Sequence, residues 1–203
     1  MKQFAAEIEA GAEELVRALL SLSPSRNVCI LDSCGSRPPD ARYLIAGFDP
    51  VEIIEANRFE VVSILSAGKR AIDQDQSILD VLDSRLNSIG PIIDVPENDI
   101  PAYGACIASF AYEFCGKPWR PYPATGNFIE DNKPAVRLAF FESVIVHDYS
   151  TGKSFVTSST GAAGLREATQ QIAEILSQPV DPKVFDTSLI VPKQTLVKSN
   201  FTR

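Results

Sequence analysis

Ile8, Ala12, Leu15, Val16, Leu19 and Leu20 recur at the spacing of one helical face, which predicts an amphipathic helix over residues 2–22. Breakers at 21–27 end it. Val28-Cys29-Ile30-Leu31 is a short apolar run of strand type, followed by a Gly/Pro-rich loop over 34–40. Residues 42–48, 51–54 and 59–65 read as further strands, and Ala67-Gly68-Lys69-Arg70 as a turn. Ile78, Leu79, Val81, Leu82 and Leu86 place a helix over 77–89, stopped by Gly90-Pro91. Residues 102–114 form a long segment of small and apolar side chains. Residues 136–146 and 154–157 read as the two arms of a hairpin around 149–152. The last periodic segment, 163–176, predicts a helix capped by Thr160 or Gly161. From Gln178 the chain has prolines and no clear period, so one domain over 1–178 is expected, with a connector over 179–203.

The strands follow one another through short turns rather than through helices. That order predicts an α+β fold built on antiparallel sheet, not a doubly wound parallel one. A composition of 45% hydrophobic and 22% charged residues agrees with a packed globular core. The formal net charge of −7, without a Lys/Arg-rich run, excludes nucleic acid as an expected partner, because nothing would neutralise its phosphates. The first twelve residues carry acidic groups and no long apolar run, so neither a secretory signal nor a membrane partner is expected and the location is read as cytoplasmic. Cys29, Cys34, Cys106 and Cys115 lack a C-x-x-C pair and are expected to be reduced, buried thiols.

Self-contained chemistry is hard to find in the chain. His147 is the only histidine, it ends the apolar run Val144-Ile145-Val146, and no G-x-S-x-G elbow accompanies it. It reads as a strand-end histidine. Gly152-Lys153-Ser154 has the tail of a phosphate-binding loop, but the first glycine of that motif would fall at His147, so a hairpin turn is expected. Gly161 and Gly164 before a helix lack the fuller phosphate fingerprint. The carboxylates Glu113, Glu130, Asp131, Glu142 and Asp148 are scattered over turns and strand edges, most of them expected in solvent. From the residues alone, the chain is a binding or regulatory module.

Three segments in order resemble the amino-terminal region of the large subunits, component I, of anthranilate synthase and aminodeoxychorismate synthase. Leu31-Asp32-Ser33 followed by Arg42-Tyr43-Leu44-Ile45-Ala46-Gly47-Phe48-Asp49-Pro50 resembles a Leu-Leu-x-Ser strand end and the R-Y-S-x-x-G-x-D-P stretch after it. Pro101-Ala102-Tyr103-Gly104-Ala105 through Phe110-Ala111-Tyr112-Glu113 is similar to P-F-x-G-G-x-x-G-Y-x-x-Y-D. The strand from Pro134 to Asp148 resembles P-D-x-x-x-x-x-Y-D-x-x-x-V-x-D, and Ser199-Asn200-Phe201-Thr202-Arg203 the phrase that opens the chorismate-binding region. Ile30, Asp32, Ala105 and Ala108-Ser109-Phe110 depart from the family's commoner residues.

The resemblance implies the orthogonally packed antiparallel sheet of the family's amino-terminal half. It further implies a tryptophan pocket formed by Ser33, Asp40, Ala41, Arg42 and Tyr43. In that pocket Asp32 or Asp40 would accept the ammonium of L-tryptophan, Ser33 and backbone amides would meet its carboxylate, and Tyr43 would wall its ring. The family aminates chorismate with ammonia from a glutamine amidotransferase subunit. Its catalytic residues and Mg2+ belong to a chorismate-binding domain that would begin near Arg203, so this chain is expected to have no catalytic residue, no cofactor of its own and no activity alone. The short leader before Ser33 points to aminodeoxychorismate synthase, on the route to para-aminobenzoate and folate, ahead of anthranilate synthase on the route to tryptophan. A stand-alone amino-acid-binding module is the remaining alternative.

Overall fold

The computed structural model describes residues 4–35, 41–56, 61–65, 68–72, 78–89, 100–111 and 134–179. Ten strands are present among them: β1 Ala5–Ile8, β2 Cys29–Asp32, β3 Tyr43–Gly47, β4 Glu52–Ala56, β5 Val61–Leu65, β6 Gly68–Ile72, β7 Ala105–Phe110, β8 Val136–Phe141, β9 Ser143–Asp148 and β10 Lys153–Ser158. Three helices accompany them: α1 Ala12–Leu20, α2 Ile78–Ile89 and α3 Ala162–Ser177. The strands form two antiparallel sheets, in the orders β1-β10-β9-β3-β2 and β6-β5-β4-β8-β7. The expected α+β class with antiparallel sheet is the observed one.

Side-chain alternation along the central strands explains how these pieces stack. On β3, Leu44 and Ala46 join Leu15 and Leu19 of α1 and Leu165 and Ile172 of α3 in one core, while Tyr43 and Ile45 face the other way. On β8, Val136, Leu138 and Phe140 pack on Ile78 and Val81 of α2, whereas Ala139 and Phe141 meet Val144 and Val146 of β9 between the sheets. The result is four layers: α1 and α3, the first sheet, the second sheet, then α2. β9 is covered on both faces, which is why Val144-Ile145-Val146 is continuously apolar.

Several elements differ from the sequence expectation. The predicted helix over 2–22 begins only at Ala12; Ala5–Ile8 is instead a strand paired with β10, Ala5 opposite Thr157 and Ile8 opposite Ser154. Phe4, Ala6, Ile8 and Ala10 also alternate with period two, and Gly11 separates that pattern from the helix it caps. The single arm expected over 136–146 is two strands in different sheets. The chain crosses between them at Glu142, whose carbonyl accepts from the Ser159 amide at 2.8 Å. Both faces are buried on each side of that crossing, so alternation gives no sign of the change. Part of the turn expected at 67–70 is strand β6, begun by Gly68 at φ +125°. Among the described residues β6 stands at one end of the second sheet. Gly161 caps α3 without a side-chain bond, while the Thr160 hydroxyl pairs with Ser158. The connector over 179–203 lies beyond the described residues after Pro179.

The two sheets meet tightly where Gly47 ends β3. A Cβ built there would stand 2.7 Å from the Phe141 ring. Gly47→Ala should therefore destabilise the fold by about 1–3 kcal/mol, as overpacking does, read from the urea midpoint. Phe141→Leu in the same chain should recover part of the loss; an unchanged midpoint for Gly47→Ala alone would mean that the ring is not held.

Candidate functional site

The loop after β2 is shaped by its own short polar side chain. Asp32 Oδ1 accepts the Cys34 amide at 2.7 Å, the hydrogen bond of an Asx turn. Cys34 and Gly35 then take left-handed backbone, at φ +58° and +57°. A Cβ at position 35 would meet the Tyr149 ring at 2.7 Å, so glycine is required both for its conformation and for its lack of a side chain. The Tyr149 hydroxyl donates to the same Asp32 oxygen at 2.7 Å, from 117 residues away.

Register separates the two polar residues of Leu31-Asp32-Ser33. Asp32 stands opposite Leu44, on the helix-covered face of the sheet. Ser33 continues the ladder by donating its amide to the Tyr43 carbonyl at 3.2 Å, which puts it in the row of Tyr43, on the face between the sheets. Its Oγ is shielded from solvent and has no hydrogen-bond partner among the described residues. Leu31, two residues back on the same face, is 53% exposed, so the edge of that face opens outward beside Ser33.

Arg42 binds Asp148 with two hydrogen bonds, Nε to Oδ1 at 3.2 Å and Nη2 to Oδ2 at 2.9 Å, and its guanidinium lies 4.7 Å from the centre of the Tyr43 ring. Asp148 is buried rather than solvated, and the Arg42 hydrogen bond holds its carboxyl well below the usual carboxylate range. Burial opposes that shift, and the Ser150 hydroxyl and amide reinforce it. His147 is buried in the neighbouring row. Its Nδ1 lies 2.8 Å from Ser154 Oγ, and that hydroxyl donates to the Ala10 carbonyl at 2.5 Å. With the hydroxyl proton so used, Nδ1 carries the imidazole proton and donates. Burial pushes the His147 pKa down, against the pull of Asp148 and Asp32.

Ser33, Ala41, Arg42 and Tyr43 thus meet at one end of the β2–β3 pair, and Asp40 lies outside the described residues. Asp148 and Tyr149, which complete this neighbourhood, carried no local signal: each is brought there only by the pairing of β3 with β9. A cleft of about 280 Å³, lined by Phe48, Phe141, Glu142, Thr160, Glu167 and Gln171, lies at the opposite end of those strands and does not include Ser33. Residues 150–152 form the expected hairpin turn, with Gly152 at φ +68°. Glu142 is exposed; Glu113, Glu130 and Asp131 lie outside the described residues. The cysteines are less buried than expected. Cys29 and Cys106 are half-buried, Cys34 is exposed in its turn, all three are free, and Cys115 lies outside the described residues. Among the described residues, no group of three or more His, Cys, Asp or Glu could hold a metal ion, and no helix is long and apolar enough to cross a membrane.

No protein-family model matches the chain, and no curated protein does. Among solved structures, the two-sheet architecture has a counterpart. That counterpart is the crystal structure of anthranilate synthase component I from Streptococcus pneumoniae TIGR4, to which this chain is similar at 25% identity with a TM-score of 0.50. The likeness covers 78% of this chain and 33% of the other, so the chain spans about a third of that protein's length.

Stability should fall in two stages as pH drops. The folded state resists protonating His147, so stability declines once unfolded histidine begins to protonate, below its ordinary pKa of 6.5. Asp148 adds a second decline below the ordinary 3.8, because only the unfolded chain readily takes up that proton. Urea unfolding across this range should show both stages, with His147→Gln removing the first. A flat profile between pH 7 and 5 would contradict the assignment of a neutral buried imidazole.

Proposed function

We propose that this chain is the amino-terminal part of component I of an aminodeoxychorismate synthase, which aminates chorismate with glutamine-derived ammonia. In this reading its own task is to hold L-tryptophan at the end of β2 and to support a chorismate-binding domain. Ser33, Asp40, Ala41, Arg42 and Tyr43 form the tryptophan site; magnesium and the catalytic groups belong to the chorismate-binding domain, and a glutamine amidotransferase subunit supplies ammonia. The observation that carries the reading is the buried Ser33 Oγ beside Tyr43, without a hydrogen-bond partner among the described residues, in a fold shared with anthranilate synthase component I. A buried hydroxyl without a partner costs about 1–3 kcal/mol, a deficit that a ligand carboxylate oxygen would relieve. Half-exposed Leu31 and the Tyr43 ring offer the apolar walls an indole needs. In this reading Asp40 accepts the ammonium, while Asp32, on the other face, accepts the Cys34 amide and the Tyr149 hydroxyl.

The second reading is the same part of an anthranilate synthase, favoured by the identity of the structural neighbour itself. Expressed with the reading frame beyond codon 203 and given chorismate, Mg2+ and ammonium, the enzyme should form aminodeoxychorismate, identified by mass spectrometry. Anthranilate and pyruvate would decide for the second reading, and the lack of such a frame would leave an amino-acid-binding module. For the site itself, calorimetric titration with L-tryptophan should show binding that Ser33→Leu weakens by at least about tenfold, through steric overlap and a lost hydrogen bond. Unchanged affinity would remove Ser33 from the pocket.

A further inference from the structure

The residues expected to meet tryptophan follow the end of β2 at Asp32 and reach the first residue of β3, Tyr43. A single residue from a distant turn holds both. The Tyr149 hydroxyl donates to Asp32 Oδ1 at 2.7 Å, and the Tyr149 amide donates to the Arg42 carbonyl at 2.9 Å. The ring between these groups closes on Gly35, where even a methyl group would not fit, and rests edge-on against His147 with centroids 4.8 Å apart. Nothing about a β-hairpin turn requires an aromatic residue at this position.

We propose that Tyr149 is the positioning residue of the tryptophan site: its hydroxyl, through Asp32, fixes the turn that keeps Ser33 Oγ facing Tyr43. The inference rests on the reading of Ser33 as a ligand contact. Tyr149 itself need not touch the ligand, and Asp32 acts as its anchor rather than as an ammonium acceptor. Burial, followed by the hydrogen bond to Asp32, raises the Tyr149 pKa to about 12, so the phenol keeps its proton and remains a donor across the physiological range.

The test is calorimetric titration of the 203-residue chain and four variants with L-tryptophan, with thermal unfolding recorded for each. Tyr149→Phe, which keeps the ring, should weaken binding about tenfold, the scale of one hydrogen bond to a charged acceptor. Asp32→Ala should match it, and the double variant should be no weaker than either single one. Asp32→Asn, which retains an oxygen acceptor for both hydrogen bonds, should bind within about twofold of the unaltered chain. A purely structural tyrosine would lower the unfolding temperature and leave the affinity of the folded protein unchanged, which would overturn the inference alone. If Asp32→Asn loses as much as Asp32→Ala, the charge of Asp32 contacts the ligand and the positioning role fails. If the unaltered chain does not bind L-tryptophan, both the reading of the site and this inference fall.

Discussion

The face shared by the two sheets is the contact on which the rest of the protein depends. Ile53, Ala139, Phe141, Val144 and Val146 fill it, and each of these buried aliphatic or aromatic side chains larger than alanine contributes about 1.5–3 kcal/mol relative to exposure. Because β9 is buried on both sides, it serves two cores at once. Removing it would uncover the helices α1 and α3 as well as the second sheet. Pairing of β3 and β10 with this strand brings the β2–β3 loop beside the β9–β10 turn, although the two are more than a hundred residues apart.

Polar interactions at that junction are smaller in energy and greater in consequence for geometry. The Arg42–Asp148 pair is partly solvated on the arginine side, and such pairs contribute little net stability compared with replacing them by apolar residues. Breaking one partner is a different matter, since it leaves a buried charge uncompensated. The pair therefore acts chiefly to orient: it fixes the start of β3 and holds the guanidinium over the Tyr43 ring. The Asp32–Tyr149 hydrogen bond does the same for the end of β2. Between them, these two contacts hold the end of β2 and the start of β3, beside which the proposed ligand site is built.

Leu31-Asp32-Ser33 shows how far a motif reaches and where it stops. It brings Ser33 beside Tyr43, whose carbonyl accepts the Ser33 amide. Adjacent residues on a strand point to opposite faces, however, so Asp32 and Ser33 serve different surfaces. Burial on both faces hid the crossing at Glu142, where no alternation marks the change of sheet. Residues 4–10 satisfy both periods, and only the pairing with β10 chooses between them.

By itself the sequence determined the α+β class, the positions of α2 and α3 and the β9–β10 hairpin, because these follow from local periodicity and turn chemistry. Only the tertiary structure decided which strands share a sheet, that Asp148 is buried against Arg42, and that Tyr149 closes over Gly35. Those outcomes come from register and layer packing between distant segments, and no local pattern encodes which strand a given edge will meet.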